Sequence, residues 1–390
     1  AIGGIASLQI ALSALSILLG VISFSGNYRV FATCWIGVDF IFSATWAACL
    51  HAIHQSFDEG ENNTVWSRKI GILAIAARIG NAAAFMGFAS VLGWSSARQL
   101  GGAGSSGGNW RLVFGTSALF QLVPLCLLSY FGRLRPMKKD TTTQKDDSTA
   151  IATSTETRKT SSKTTATFPS LTILKSQFKT PTFYLHLLSR SSLMVYGSFL
   201  LFVPTLMTSA YSMSFSSSAR VGSIFALGAL SSVSLLSKHY TSWSFSKKMC
   251  ILSALLCTST LCAVSQYLHV SSAITLSPLV AALVMFTWGF SFSLPFYIPP
   301  SLYALEKGGR ESSATIADVF DFGGFGLLAL FNRYVAQALE RGGGSLGAKW
   351  CGCFGWLIGC ALVSWGSLCG AVFLEERRGK KKEEERAKEM

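Results

Sequence analysis

Residues 312–326 read SSATIADVFDFGGFG and place two aspartates, Asp318 and Asp321, in an otherwise apolar run. The run continues into Leu, Ala and Phe, a composition typical of a segment buried in hydrocarbon. An ionised side chain at the centre of a bilayer costs about 2.5 to 3.5 kcal/mol on insertion scales. Such a side chain needs a partner or water, so the stretch predicts a membrane helix that lines a polar pathway.

The composition extends this interpretation to the whole chain. Of the 390 residues, 50% are hydrophobic and only 13% are charged, which argues against a soluble globular protein. A helix needs about 20 mostly apolar residues to cross about 30 Å of hydrocarbon. We therefore predict an all-α membrane protein with ten transmembrane helices, at 5–24, 30–54, 70–94, 111–132, 182–207, 218–237, 249–268, 276–300, 312–336 and 349–374.

The net charge of +14 suggests nucleic acid at first, but the positions of the basic residues favour a membrane topology. With a cytoplasmic N-terminus, most Lys and Arg fall on the cytoplasmic side, in the connections after the second, fourth, sixth and eighth helices and in the tail. This distribution follows the positive-inside rule. It predicts cytoplasmic N- and C-termini and no nucleic-acid partner. The apolar run begins close to Ala1, so we expect no signal peptide and a beginning that is missing.

The apolar segments divide the chain into two lobes. Residues 1–132 are predicted to form an N-terminal lobe of four helices, and residues 182–374 a C-terminal lobe of six. The Thr-, Ser- and Lys-rich stretch 133–181 between them is predicted to be a disordered cytoplasmic linker, because it cannot bury enough apolar surface. Residues 375–390 form a charged cytoplasmic tail.

Three groups of residues carry a resemblance to a known family. The most specific group surrounds the two aspartates: Pro300, Ala304, Glu306, Gly308, Gly309, Ser313, Ala314, Thr315, Asp321, Gly324 and Phe325. A second group lies in the second predicted helix: Trp46, Ala48, Cys49, Ile53 and Phe57. A third opens the fourth helix: Asn109, Trp110, Arg111 and Phe114. Together they resemble the major facilitator superfamily, most closely its organophosphate and phosphate antiporter branch.

The resemblance implies a two-lobed helical bundle that works by alternating access. It relates the first helix of this chain to the third of the family, so the first two helices of the family are absent. It also aligns Tyr196 with a phosphate-binding arginine and Arg78, within about a residue, with a substrate-contacting histidine.

Arg78, Asp318 and Asp321 are the leading candidate site residues. At about 1.5 Å per residue, Arg78 lies about 12 Å from the inner end of its helix, and the aspartates lie about 9 to 14 Å from the inner end of theirs. We expect Arg78 to attract an anionic or polar substrate. Asp321 or Asp318 would be its counter-ion or a proton site. The alternative is that Asp321 holds helices together or forms an inner-gate salt bridge.

Five further residues complete the candidate set. Asp39 lies near mid-membrane and is a candidate partner for the arginine of the next helix. Arg190 is predicted to reach the inner interface, where it and His51 are candidates for a gate. Tyr196 and Trp46 are candidates for lining the pathway, with ordinary packing as the alternative. His51 lacks a third ligand nearby, so no metal site is predicted.

These features predict a secondary active transporter for a small polar or anionic solute. It would work in the bilayer as a monomer, without a cofactor, coupled to a proton or counter-anion. The alternatives are an inactive truncated product or a non-transporting sensor. A membrane-embedded enzyme is the least favoured alternative, because the sequence has no P-loop, nucleophile elbow or metal motif, although Asp318 and Asp321 are a carboxylate pair.

Overall fold

The computed structural model describes residues 4–56, 63–99, 110–134, 169–340 and 346–389. All ten predicted apolar segments lie in helices. The helices are α1 Gly4–Phe24, α2 Tyr28–Ser56, α3 Asn63–Gln99, α4 Trp110–Leu134, α5 Pro169–Gln177, α6 Pro181–Ser198, α7 Val203–Ala210, α8 Phe215–Leu236, α9 Phe245–Val270, α10 Pro278–Glu340 and α11 Leu346–Glu389.

Nine helical segments in the described part of the chain are long and apolar enough to cross a membrane. α2 covers the remaining predicted span. α6 and α7 form a single span, Pro181–Ala210, joined by the 3-10 turn Phe199–Phe202. The turn falls directly before Pro204, which has no N–H for the regular helical ladder.

α10 contains two spans that meet at a tight reversal. The first arm is Pro278–Gly309 and the second is Ser312–Glu340. Gly309 has φ 56° and ψ −157°, a backbone conformation that side chains other than glycine avoid. A Cβ on the preceding Gly308 would lie 2.4 Å from the Ser313 backbone nitrogen. The two glycines therefore allow the chain to reverse without a longer loop.

The N-terminal lobe packs as a small bundle with one outlying helix. α1, α2 and α4 share an apolar core of Leu15, Leu19, Ile22, Val38 and Ala118. α3 packs mainly against α8, in the other lobe. Through α3, and through contacts of α2 with α10, the two lobes are joined across an extensive surface.

The C-terminal lobe has an aromatic centre around Trp288 of α10. The Trp288 ring lies 4.7 Å from that of Tyr196 and stacks at 5.2 Å on Phe199. Phe354 of α11 and Phe225 of α8 close the cluster at 6.3 Å and 6.2 Å. All five side chains are fully buried. This cluster fixes the first arm of α10, which carries the aromatic rings of the site described below.

The structure corrects the predicted extent of the linker. Residues 135–168 lie outside the described part, but 169–177 form the helix α5, within the stretch predicted to be disordered. Leu174 is buried in the core of the C-terminal lobe, and Gln177 accepts a hydrogen bond from Tyr303. These contacts order the end of the stretch. Its composition predicts only the cost of ordering, and not the surface that offsets it.

Two glycines set the closest approach between helices α8 and α10. A Cβ at Gly228 would lie 2.0 Å from the Phe286 carbonyl oxygen, and a Cβ at Gly289 would lie 2.0 Å from that of Phe225. Both obstacles are backbone atoms, which cannot move without shifting a helix. Small residues at such crossings let membrane helices pack backbone to backbone.

We expect Gly228→Ala to lower the free energy of unfolding by about 1 to 3 kcal/mol, the usual cost of overpacking a filled interior. Thermal unfolding of the detergent-solubilised protein measures this change. The matched control is Gly359→Ala on α11, where an added Cβ meets no atom within 4 Å. Alanine is the better helix former, so this control should be neutral or stabilising. Equal stability of both variants would contradict the close approach.

Candidate functional site

Two arginine side chains and one aspartate side chain are buried within the described membrane helices. Arg78 of α3 is 5% exposed, Arg190 of α6 is 4% exposed and Asp321 of α10 is 3% exposed. They lie in the half of the bundle where α3 and α6 begin and the two arms of α10 meet. Their charges sum to +1. The arrangement of their partners decides what the site can bind.

Arg190 and Asp321 form a buried ion pair between α6 and the second arm of α10. Nε and Nη2 of Arg190 donate to Oδ1 of Asp321 at 3.0 Å and 2.9 Å. Both hydrogen bonds reach the same carboxylate oxygen, so Oδ2 takes no part in the pair. Gly324, one turn further on, allows this close packing, because a Cβ there would lie 2.6 Å from Sδ of Met194.

The third guanidinium nitrogen of Arg190 donates to a backbone carbonyl oxygen that lacks its helical donor because of a proline. Nη1 donates to the carbonyl oxygen of Phe296 at 2.8 Å. In a regular helix this oxygen would accept from the N–H four residues later, but that residue is Pro300, which has none. The sequence PFYIPP therefore creates an acceptor inside the membrane, and Arg190 satisfies it. The first arm of α10 is thereby tied to the ion pair.

Aromatic rings surround the Arg190 guanidinium. Its central carbon lies 3.7 Å from the centre of the Phe296 ring, and 5.9 Å and 6.0 Å from the rings of Tyr297 and Trp46. Trp46 belongs to α2, and its ring lies 5.1 Å from that of Tyr297. The ion pair of the C-terminal lobe is therefore covered by a side chain of the N-terminal lobe.

Arg78 has no such partner. Its guanidinium carbon lies 5.0 Å from the Tyr297 ring centre and 5.3 Å from that of Phe292. Its Nε is buried without a hydrogen-bond partner, and it forms no ion pair with any described residue. Two cation–π contacts compensate only part of the cost of removing a charge from water. Arg78 is thus a buried cation without a charged partner in the described part of the chain.

The structure corrects the predicted pairings. Asp321 was predicted either to act as the counter-ion of Arg78 or a proton site, a role shared with Asp318, or to hold helices together through a salt bridge. It pairs with Arg190, as the second alternative describes. Arg190 was predicted to reach the inner interface, but it is buried and bound to Asp321. The depth of each residue along its helix follows from the sequence. The direction in which it points depends on how the helices pack, which the sequence pattern does not show.

The other candidates occupy different surroundings. Asp318 is exposed, and Asp39 is exposed on α2 without an ion pair to any described residue. Tyr196 is fully buried in the aromatic centre and donates to the Ser259 carbonyl oxygen. Trp46 is half-buried between the lobes. His51 lies on α2, but its side chain is outside the described residues.

Sequence analysis did not single out the aromatic residues of the first arm of α10. Phe292, Phe296 and Tyr297 contact both arginines, directly or through one ring. The clustered prolines 295, 299 and 300 were the available signal, since each frees a carbonyl oxygen four residues earlier. No group of three His, Cys, Asp or Glu side chains in the described ranges could hold a metal ion.

Comparison with solved structures identifies this arrangement of helices. A bacterial homolog of the human lysosomal transporter Spinster, in an inward-facing and unoccupied conformation, superposes with a TM-score of 0.54 at 12% sequence identity. The match covers 96% of this chain and 83% of that chain. The chain has the major facilitator fold. With this fold and its apolar helices, it is a multi-pass membrane protein.

At this low identity the likeness shows the fold alone and assigns no role to a residue. No protein-family model matches the sequence, and a search of curated proteins finds no match. The roles of Arg78, Arg190 and Asp321 therefore follow from their own contacts. The predicted relation of α1 to the third helix of the family stays a prediction.

We expect Asp321→Asn to destabilise the protein, because breaking a buried ion pair from one side costs about 3 to 5 kcal/mol. Thermal unfolding in detergent measures the loss. The double variant Arg190→Gln with Asp321→Asn should lose less than the sum of the single variants, since it leaves no unpaired charge. Asp318→Asn, one turn away and exposed, is the matched control and should behave like the wild type. Additive losses would contradict the pair.

Proposed function

We propose that this chain is a secondary active transporter for a small anion, and that Arg78 contacts the anion. One observation carries the proposal. Arg78 is a buried cation in a membrane helix, and among the residues that the structure describes it has no ion-pair partner and no hydrogen-bond partner at Nε. The cost of such a charge is relieved when an anion binds beside it. A permanent carboxylate partner would instead make the position structural, as Asp321 does for Arg190.

The site has the character of a single-anion site. Arg190 and Asp321 neutralise each other, so Arg78 leaves one unmatched positive charge. The rings of Phe292 and Tyr297 form apolar walls on which a guanidinium and an organic solute can both pack. This composition favours an anion of low charge with an apolar or planar part.

In this proposal the Arg190–Asp321 pair is the fixed side of a gate that Trp46 closes. It joins α6 to both arms of α10, and Trp46 of the opposite lobe covers it. Alternating access requires the two lobes to rock about a site near the midplane. Separation of Trp46 from Tyr297 and Arg190 would open the inner half of the bundle while the ion pair keeps the C-terminal lobe rigid.

The relation to the organophosphate and phosphate antiporter branch is proposed on the residue pattern at 300–325. The pattern does not carry the phosphate site with it. Tyr196, aligned with a phosphate-binding arginine, is fully buried and donates to a backbone carbonyl. In this chain we assign the anion contact to Arg78, which lies in the N-terminal lobe. Cytoplasmic N- and C-termini are proposed from the distribution of basic residues.

Flux into liposomes containing the purified chain tests the carrier. Labelled inorganic phosphate, glycerol phosphate and lactate are suitable probes, because they differ in charge and apolar area. We expect uptake of at least one probe above that of empty liposomes, and a loss of about tenfold or more in Arg78→Gln. One hydrogen bond to a charged group contributes about 1.5 to 3 kcal/mol, which corresponds to at least that factor.

Two variants sharpen the result. Arg78→Lys keeps the charge but lacks the planar donor set, so intermediate uptake is expected. Arg333→Gln removes an exposed arginine from the second arm of α10 and is the matched control. Wild-type uptake by Arg78→Gln would sink the assignment of Arg78 as the anion contact.

A further inference from the structure

A second titratable cluster lies one helical turn from the ion pair. His186 of α6 is 1% exposed, and its Nε2 lies 2.9 Å from Oε1 of Glu375 on α11. Residues 186 and 190 are four apart, so His186 and Arg190 share one face of α6. The His186 ring packs at 4.6 Å against that of Tyr303, on the first arm of α10. Nothing in the anion site described above uses this cluster.

The contact between His186 and Glu375 requires a shared proton. Imidazole nitrogen without its hydrogen and a carboxylate are both acceptors, so a distance of 2.9 Å implies a hydrogen between them. The other ring nitrogen, Nδ1, is buried without a hydrogen-bond partner. The ring can therefore hold one more proton than this contact needs. A neutral ring gives the pair a charge of −1, and an imidazolium brings it to zero.

Water reaches this pair from one side. The Glu375 side chain is 38% exposed and lines a cavity of about 1280 Å³. The cavity lies at the end of the bundle where α6 and α9 begin and where α8 ends. Thr182, Tyr240, Lys248 and Arg378 are among its other lining residues. Glu375 thus connects a buried histidine to the compartment proposed to be the cytoplasm.

Each helix packed against His186 contributes to its electrostatic surroundings. On α6, Arg190 lies one turn further along, and its charge is balanced by Asp321 of α10. The first arm of α10 contributes the neutral Tyr303, whose hydroxyl donates to Gln177. α11 contributes Glu375 and the exposed Arg378, whose Nη1 donates to Thr182 at 3.0 Å. Histidine is the group in this set whose ordinary titration range spans neutral pH.

We propose that His186 and Glu375 form a proton-binding site that couples a cytoplasmic proton to the anion at Arg78. The inference rests on the proposed anion carrier. With one proton on the pair, the charges of Arg78, Arg190, Asp321 and Glu375 sum to zero. A second proton converts the neutral His186 ring to an imidazolium. The total charge of these four residues and His186 then becomes +1. Anion and proton then favour each other's binding, as linkage requires.

Nuclear magnetic resonance of the full chain in detergent, labelled with ¹⁵N at histidine, tests the proton site without any anion. The chain has five histidines, so His186→Gln identifies the His186 signal. We expect this signal to report the gain of a second ring proton when the pH of the sample is lowered from about 8 to about 5, and to change in Glu375→Gln. The control is His269→Gln on α9, whose ring stacks on Tyr211 at the opposite end of the bundle. A His186 signal that stays constant over this range overturns the proposal.

Coupling is measured in liposomes that contain the pH indicator pyranine, with the anion probes used above. The wild type should move protons together with the anion. His186→Gln and Glu375→Gln should retain anion exchange, but the accompanying proton flux should fall by about tenfold or more. His269→Gln should keep both the anion flux and the proton flux. Unchanged proton flux in both site variants overturns the coupling. Anion flux absent from the wild type while His186 titrates would overturn the carrier and its coupling, and would support only the proton site.

If His186→Gln does not fold, Glu375→Gln carries the test alone. Glu375 is partly exposed, and its amide counterpart can still accept a hydrogen bond from Nε2, so this variant removes the charge with little change in packing. Loss of proton flux in Glu375→Gln supports the proposal, and wild-type proton flux overturns it.

Discussion

The need to satisfy every polar group inside hydrocarbon governs the structure of the C-terminal lobe. The prolines of PFYIPP leave carbonyl oxygens of α10 without their helical donors, and a membrane offers no water to replace them. Arg190 fills this role for Phe296, and its charge in turn requires Asp321. One guanidinium thereby fixes α6 and both arms of α10 relative to one another. The glycines at the α8–α10 crossing then let the remaining helices pack closely around this frame.

The same constraint distinguishes an arginine with a full set of partners from one without them. Arg190 donates three hydrogen bonds, two of them to the Asp321 carboxylate, and its guanidinium carbon lies 3.7 Å from the centre of the Phe296 ring. Its charge is therefore compensated within the structure. Arg78 is equally buried but meets only the faces of two rings. Burial alone does not distinguish them. The distinction lies in their partners, and it is the reason we propose Arg78 as the anion contact.

Access to water separates the two sites further. The proposed anion site lies where Trp46 and α3 of the N-terminal lobe meet the first arm of α10. The His186–Glu375 pair joins α6 to the charged end of α11, and Glu375 lines a cavity of about 1280 Å³ at one end of the bundle. His186 and Arg190 lie on one face of α6, four residues apart. A change of charge at His186 therefore changes the electrostatic potential at Arg190 without any rearrangement of the helix.

The sequence by itself determined the all-helical membrane class, the positions of the ten apolar segments and the depth of Arg78 and Asp321 along their helices. Apolar length and the 1.5 Å rise are local properties, and each segment displays them without reference to its neighbours. Only the tertiary structure decided that Asp321 pairs with Arg190 instead of Arg78, and that Tyr196 is packed in the core. It also ordered residues 169–177 and brought His186 to Glu375, 189 residues apart. These outcomes depend on the rotation and crossing of packed helices, which are set by contacts between distant residues.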